Sequence, residues 1–361
     1  MVSLVMLAIM AGCAVYLYLK GTLVQGIIMI LNALIAGLIA FGFYEMLAAF
    51  VVNYSPGIAA WSQMMCFLLL FVLVFAGFQA AVMQLCKEKV DMGVLAERVG
   101  RPLSGVILGY LITGYLLVAL GLAPLPSQYP YSRFDERNPN LASPSQPMLS
   151  PDGLVTGLFS TISKGSFSAL GEPRSFAMLH AGFLDQIHLN RLKATADVAV
   201  FTKNTPAVDV SRKDGIWFAP DNLRDSEGRP LSSRPGENLV LVRADIKKSG
   251  LRDETKFTLS QLRLVCGPKG SPDSPLAGAG QAAYPIGYIG AESRLENKPL
   301  SETIDASKAK GDDLTMTLAF YVPTNMTPVL LQFKRNNIVQ LARPASAEDA
   351  PEPVPFTGPA S

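Results

Sequence analysis

Catalysis by acid–base or metal chemistry usually needs imidazole, thiol or paired carboxylates, and this chain offers few sets of them. Its 361 residues contain two histidines, His180 and His188, and four cysteines, Cys13, Cys66, Cys86 and Cys266. The histidines are eight residues apart, two helical turns, and too far to chelate one metal as an i, i+4 pair would. A serine nucleophile would need a Gly-rich elbow beside a histidine and an acid. No Gly-x-Ser-x-Gly occurs, and Gly165-Ser166-Phe167-Ser168 is not such an elbow. The cysteine spacing makes no zinc site, and Cys266 stands alone in the polar part, so it reads as a small buried apolar residue at a strand end. No phosphate loop is present. These residues predict a protein that is not an enzyme, with no catalytic, cofactor-binding or metal-binding residues and no cofactor.

The elements around them point elsewhere. Val2–Leu19, Leu23–Tyr44, Met64–Leu85 and Leu103–Leu122 are apolar and each approaches the roughly 20 residues that cross a hydrocarbon core about 30 Å thick. Residues 1–125 carry nine charged side chains and the other 236 carry fifty-one. The predicted architecture is therefore a multi-domain membrane protein. A four-helix transmembrane bundle occupies residues 1–125. A Pro-rich linker (126–151), amphipathic helices (152–194), an all-β sandwich (195–343) and a disordered tail (344–361) follow. The net charge of +2 has no basic focus, which excludes nucleic acid as an expected partner. The lipid bilayer is the expected one.

Short loops rich in Lys and Arg stay in the cytoplasm. Lys20 follows the first span, and Lys87, Lys89, Arg98 and Arg101 lie between the third and fourth. Glu45–Ser62, between the second and third, has no Lys or Arg. This alternation predicts both termini outside and everything after about Pro124 extracytoplasmic. A cleaved signal peptide is the alternative for the first span, but Met1-Val2-Ser3 lacks a basic leader segment.

The spans hold little polar chemistry. Asn32 and Gln25 lie in the second and Gln79 and Gln84 in the third, with Glu45 at the outer end of the second. Asn32, Gln79 and Glu45 are the candidates for a polar path, although interhelical hydrogen bonding is the simpler role for the amides. Gly105-x-x-x-Gly109, Gly114 and Ala33-x-x-x-Gly37 place small residues where helix backbones approach closely. They predict packing inside the bundle or, less directly, a homo-oligomer through the Gly105/Gly109 face.

The sequence Tyr18-Leu19-Lys20-Gly21, the stretch Cys86-Lys87-Glu88-Lys89, the run Met92–Gly100 and the Gly-rich Gly105-Val106-Ile107-Leu108-Gly109-Tyr110 together resemble the CvpA (colicin V production) family of four-span bacterial inner-membrane proteins. The resemblance covers about residues 1–125, and Gln25-Gly26 stands where a second basic residue often follows. It implies a bacterial inner-membrane location, a link to toxin production and export and to envelope homeostasis, and no catalytic residues to carry over.

In the polar part, Asp152 is placed to cap a helix with Val155, Leu158, Phe159 and Ile162 on one face. A second amphipathic helix, about Arg174–Lys193, would hold both histidines. Tyr129, Tyr131 and Phe134 suit a membrane interface. From Ala196 the apolar period becomes two. Asp197–Phe201, Ile216–Phe218, Asn238–Lys247, Phe257–Val265, Tyr284–Ile289, Leu314–Val322 and Val329–Lys334 read as strands, separated by turns such as Ser226-Glu227-Gly228 and Ser271-Pro272-Asp273. The stretch Gly236–Ile246 with the Phe257–Val265 and Leu314–Val322 strands resembles the immunoglobulin-like domains of bacterial envelope proteins. Two functions from different classes follow: a non-catalytic anchor that presents the β-domain to an envelope partner, and an oligomeric transport or export component with a path through the spans.

Overall fold

The computed structural model describes residues 2–85, 92–164, 174–193, 198–202, 206–231, 233–251, 255–270, 275–309 and 311–356. Cys86, Lys87, Glu88 and Lys89, the Gly165–Ser168 stretch, the 271–273 turn, Asp197 and the last five residues fall outside them. The chain divides into two compact units. One is Met1–Ser132 with Ser145–Phe159; the other is Arg133–Pro144 with Ser160–Ser361.

The first unit holds α1 (Val2–Lys20), α2 (Leu23–Tyr54), α3 (Ala59–Leu85) and α4 (Val94–Leu122). All four are long and apolar enough to cross a membrane. The apolar window of α4 is 67% buried against 11% for that of α1, so α4 is the hub on which the others pack. Three helices are longer than the hydropathy alone suggests. The segment expected as a loop, Glu45–Ser62, is almost wholly helical, so Glu45 is a helical residue. Only Ser55 and a 3-10 turn at Pro56–Ile58 separate α2 from α3. Pro56 sets that break, because the ring disfavours helical backbone in the residue before it, and Ser55 is extended at φ −138, ψ 76. Arg98 and Arg101, expected in a loop, lie on the first two turns of α4.

α5 (Pro151–Ser163) follows. Its first helical residue is proline, whose missing N–H costs nothing there. Asp152 therefore sits inside the first turn and is not the cap. Its carboxylate accepts from the Gly153 amide (2.9 Å) and from the Tyr131 hydroxyl. The Val155/Phe159 face is turned to the bundle, where Phe159 stacks on Phe41 with centroids 4.9 Å apart.

The second unit opens with α6 (Phe176–Leu179) and α7 (Phe183–Leu189). Its strands are β1 (Val208–Asp209), β2 (Ile216–Phe218), β3 (Glu237–Lys247), β4 (Lys256–Thr258), β5 (Leu262–Pro268) and β6 (Gln281–Ala283). β7 (Pro285–Ile289), β8 (Leu295–Asn297), β9 (Thr303–Asp305), β10 (Asp313–Pro323), β11 (Met326–Phe333) and β12 (Asn337–Gln340) complete them. One sheet has the order β1-β3-β10-β7-β8, with β2 also paired to β3. A second has the order β12-β11-β5-β6, and β4 pairs with β9. All these ladders are antiparallel.

The longest ladder shows why. Leu314, Met316, Leu318 and Phe320 of β10 pair with Ile246, Ala244, Val242 and Val240 of β3. All eight enter one core shared with Leu262, Leu264, Cys266, Leu331 and Phe333 of the second sheet. A slip of one residue would turn the whole apolar row away from that core.

Three expectations change here. Phe257–Val265 is not one strand, because a 3-10 turn at Leu259–Gln261 breaks it into β4 and β5. Within 198–201 there is no strand, only a parallel bridge from Val198 to Lys256. Phe134, assigned to a linker at the membrane interface, is 7% exposed and belongs to the β core.

Candidate functional site

The glycines predicted to pack lie close to identifiable neighbours. A Cβ on Gly105 would lie 2.5 Å from Cα of Ala14 and 2.6 Å from the Cys13 carbonyl, and one on Gly109 2.6 Å from Cα of Met10. α1 therefore rests backbone to backbone on α4, as small residues in apolar surroundings allow. This face, considered above for contact between copies, is filled by α1 of the same chain. Gly37 faces the Tyr115 ring and Gly114 the Pro151 carbonyl. Ala33 is fully buried.

The three path candidates do not converge. The Asn32 side-chain amide donates to Gln79 Oε1 at 3.4 Å, joining α2 to α3. Glu45 lies thirteen residues along α2, about 20 Å at ~1.5 Å per residue, and accepts from the Tyr44 hydroxyl at 2.9 Å. A different acid is better placed. Buried Glu97 of α4 accepts from the Leu23 amide at 2.9 Å and from Arg101 Nε. Leu23 is the first residue of α2, whose Thr22 and Gln25 form a reciprocal capping box. A carboxylate at a helix N-terminus meets unsatisfied amides and the positive end of the dipole. Glu97 thus pins the α1–α2 turn to α4. The Glu97/Arg101 spacing, i, i+4, was the one sequence signal for it.

The second unit hides a polar brace that alternation did not foretell. Arg263 of β5, 3% exposed, donates to Gln332 of β11 (2.6 Å) and to the carbonyls of Ala181 and Leu179 (2.7 Å each). The side-chain amide of Gln186 of α7 also donates to Gln332 (3.0 Å), and Gln186 Oε1 lies 3.1 Å from His180 Nδ1. Arg133 pairs with Asp185 at 2.7 Å. The fork-shaped Arg263 guanidinium clamps α6 and the α6–α7 turn onto the second sheet.

The histidines do not share a helix. Gly182, left-handed at φ +64, ends one turn and starts α7. His180 lies between the rings of Phe176 and Phe183. His188 is 4% exposed. Its Nδ1 is 3.3 Å from Arg191 Nη2; an arginine only donates, so Nδ1 is the acceptor. Burial, then the positive charges of Arg191 and Arg133, hold its pKa well below the ordinary 6.5. The folded site resists a proton that the unfolded chain takes up below about pH 6.5. Stability should thus fall from pH 7 towards pH 5, by at most about 1.4 kcal/mol per pH unit from this group. Urea unfolding at pH 7, 6 and 5 should show a flatter decline in His188→Gln than in the natural chain; equal declines would assign the loss elsewhere.

Cys266 is fully buried in the core, where desolvation pushes its thiol up to about 12. It lies in the middle of β5, whereas its expected place was a strand end. Among the described residues no group of three or more His, Cys, Asp or Glu could hold a metal ion.

Among the described residues, clefts open on the β-domain. One of about 570 Å³ is lined by Phe218, Val322, Met326 and Leu341, with Lys269 and Arg343. Another, about 510 Å³, lies between Arg224, Arg294 and the segment Ala347–Pro353. The segment beyond Arg343, expected to be disordered, is ordered through Phe356: it runs along β2 and over the first sheet. Together these features define a membrane-embedded helical module joined to an antiparallel β-domain. No family model, no curated protein and no solved structure matches the chain.

Proposed function

We propose that the chain is a non-catalytic anchor of the bacterial inner membrane, with a four-span part of CvpA type that presents an immunoglobulin-like β-domain to an envelope partner. Both termini lie on the extracytoplasmic side, and the role is in toxin production or export or in envelope homeostasis. The observation that carries this reading is how the bundle uses its small and polar residues. Gly105 and Gly109 seat α1, Asn32 engages Gln79, and Glu97 engages the start of α2. These groups bind helices to one another, and Glu45 is too far from Asn32 to share a cavity with it. An oligomeric path would need another polar lining, and contact between copies would need a face other than Gly105/Gly109.

The Glu97–Leu23 bond supports the orientation as well. It brings Lys20, Arg98 and Arg101 to one end of the bundle, the clustering expected of a cytoplasmic face. The immunoglobulin-like reading is supported by two antiparallel sheets facing one apolar core. Reporter fusions to the C-terminus of the full chain test the arrangement. A phosphatase that folds only outside the cytoplasm should be active there, and a fluorescent protein that matures only inside should stay dark. A bright fluorescent fusion with a silent phosphatase would reverse the orientation and overturn the reading.

A further inference from the structure

The C-terminal segment lies on the first sheet as a ligand would. The Ala345 amide donates to the Ile216 carbonyl (3.0 Å), and the Phe218 amide donates to the Ala345 carbonyl (3.1 Å). The segment thus adds itself to the free edge of β2, a parallel bridge at Trp217. It then crosses three neighbouring strands in turn. The Glu352 carbonyl accepts from Arg243 of β3 and the Val354 carbonyl from Thr317 of β10 (3.3 Å); the Phe356 amide donates to Ile289 of β7 (2.8 Å). Arg243 and Thr317 are directly opposed in the β3–β10 ladder. Two extended residues span about 6 Å and adjacent strands are about 4.8 Å apart, so alternate residues meet successive strands on a slant. Pro351, Pro353 and Pro355 hold this stretch extended at little conformational cost.

The fit is incomplete in two respects. Trp217 Nε1 and Arg243 Nε are buried donors with no acceptor, although Trp217 is fully buried. Buried donors left unmet weaken a contact that a better ligand would complete. The cleft of about 510 Å³ also remains between the segment and Arg224, Glu292, Ser293 and Arg294. The charges are complementary. Residues 344–361 carry Glu348, Asp349 and Glu352 and no Lys or Arg. The face offers Arg224, Arg243 and Arg294, the last paired with Glu292.

We propose that the outer face of the six-stranded sheet is a docking groove for an acidic, proline-spaced extended segment of a partner protein, and that residues 344–356 occupy it in cis until displaced. The inference rests on the reading of the β-domain as a presented binding module. Its test does not depend on which side of the membrane the domain lies, so reporter fusions and peptide binding fail independently.

The test uses the full chain in mild detergent with a specific protease site inserted between Ala342 and Arg343. The probe is a fluorescein-labelled synthetic peptide of residues 344–361, followed by anisotropy. The nicked protein should take up the probe at least tenfold better than the uncut protein. A probe with Glu348, Asp349 and Glu352 replaced by lysine should bind at least tenfold more weakly. An unlabelled peptide keeping only the Glu-Asp-x-Pro-Glu-Pro pattern should compete. If nicking unfolds the domain, the uncut Phe356→Ser chain, with its last contact loosened, should bind more probe than the natural chain. No uptake by a folded nicked or Phe356→Ser chain, equal binding of the lysine probe, or failure of the patterned competitor would overturn the proposal.

Discussion

The double substitution Gly105→Ile/Gly109→Ile should take the helical bundle apart. Each new side chain starts from a Cβ within 2.6 Å of an α1 Cα atom, closer than non-bonded carbons approach, and an α1 backbone cannot rotate away as a side chain can. Inserting volume into a packed site costs typically 1–3 kcal/mol and more where the backbone must shift. Two such insertions on one helix crossing should cost on the order of 3–6 kcal/mol. α1 should lift off α4, and thermal unfolding in mild detergent should begin far earlier, with α1 newly open to protease. Gly42→Ile and Gly77→Ile are the controls, since a Cβ at either meets nothing within 4 Å. Equal stability of the double variant and these controls would mean that α1 is not seated on the two glycines.

Arg263→Ala should cause the largest loss in the β-domain. The guanidinium serves three acceptors on β11 and the α6–α7 turn. Alanine leaves the Ala181 and Leu179 carbonyls to find other donors in a site that water reaches poorly, and Gln332 Oε1 with Gln186 as its remaining donor. Hydrogen bonds to a charged group contribute about 1.5–3 kcal/mol each, and the contributions are not additive. A loss of about 3–5 kcal/mol is expected, comparable to removing one partner of a buried charged pair. Trp61 and Trp217 are the two tryptophans, so a Trp61→Phe background makes Trp217 fluorescence report the β-domain alone. The urea midpoint should drop strongly in Arg263→Ala. Arg263→Lys should recover part of it, since one ammonium cannot reach three acceptors spread over a fork. A midpoint unmoved by alanine would remove the brace from the account.

Legibility from the sequence followed the reach of the forces involved. The spans were plain because twenty apolar residues are a local signal. Their ends were not, because α2 stays apolar and helical beyond Glu45 until Pro56 stops it. The β10 alternation was plain because one face meets the core. The β4–β5 break was hidden, since its capping box, Thr258 with Gln261, lies inside what looks like one strand. Gly105 and Gly109 announced a close approach, yet their partner was open, as helix spacing does not name the helix that fills the groove. Glu97 answers an amide 74 residues away and Arg263 answers carbonyls over 80 residues away; neither pairing has a local signature. Composition also misled at the tail. Pro, Ala and Glu bury little surface, but residues 345–356 are ordered by backbone bonds to a sheet that composition does not reveal.

The seat of α1 on α4 sets an order of events during synthesis. Of the four helices α1 is made before α4, and it contacts glycines made more than ninety residues later. Until α4 enters the bilayer, α1 has no close-fitting neighbour, and its poorly buried surface must be accommodated by lipid or the insertion machinery. Closure of these four helices therefore waits on α4: α1, made before the other three, is secured last, and a chain cut short before α4 would leave α1 permanently unclaimed.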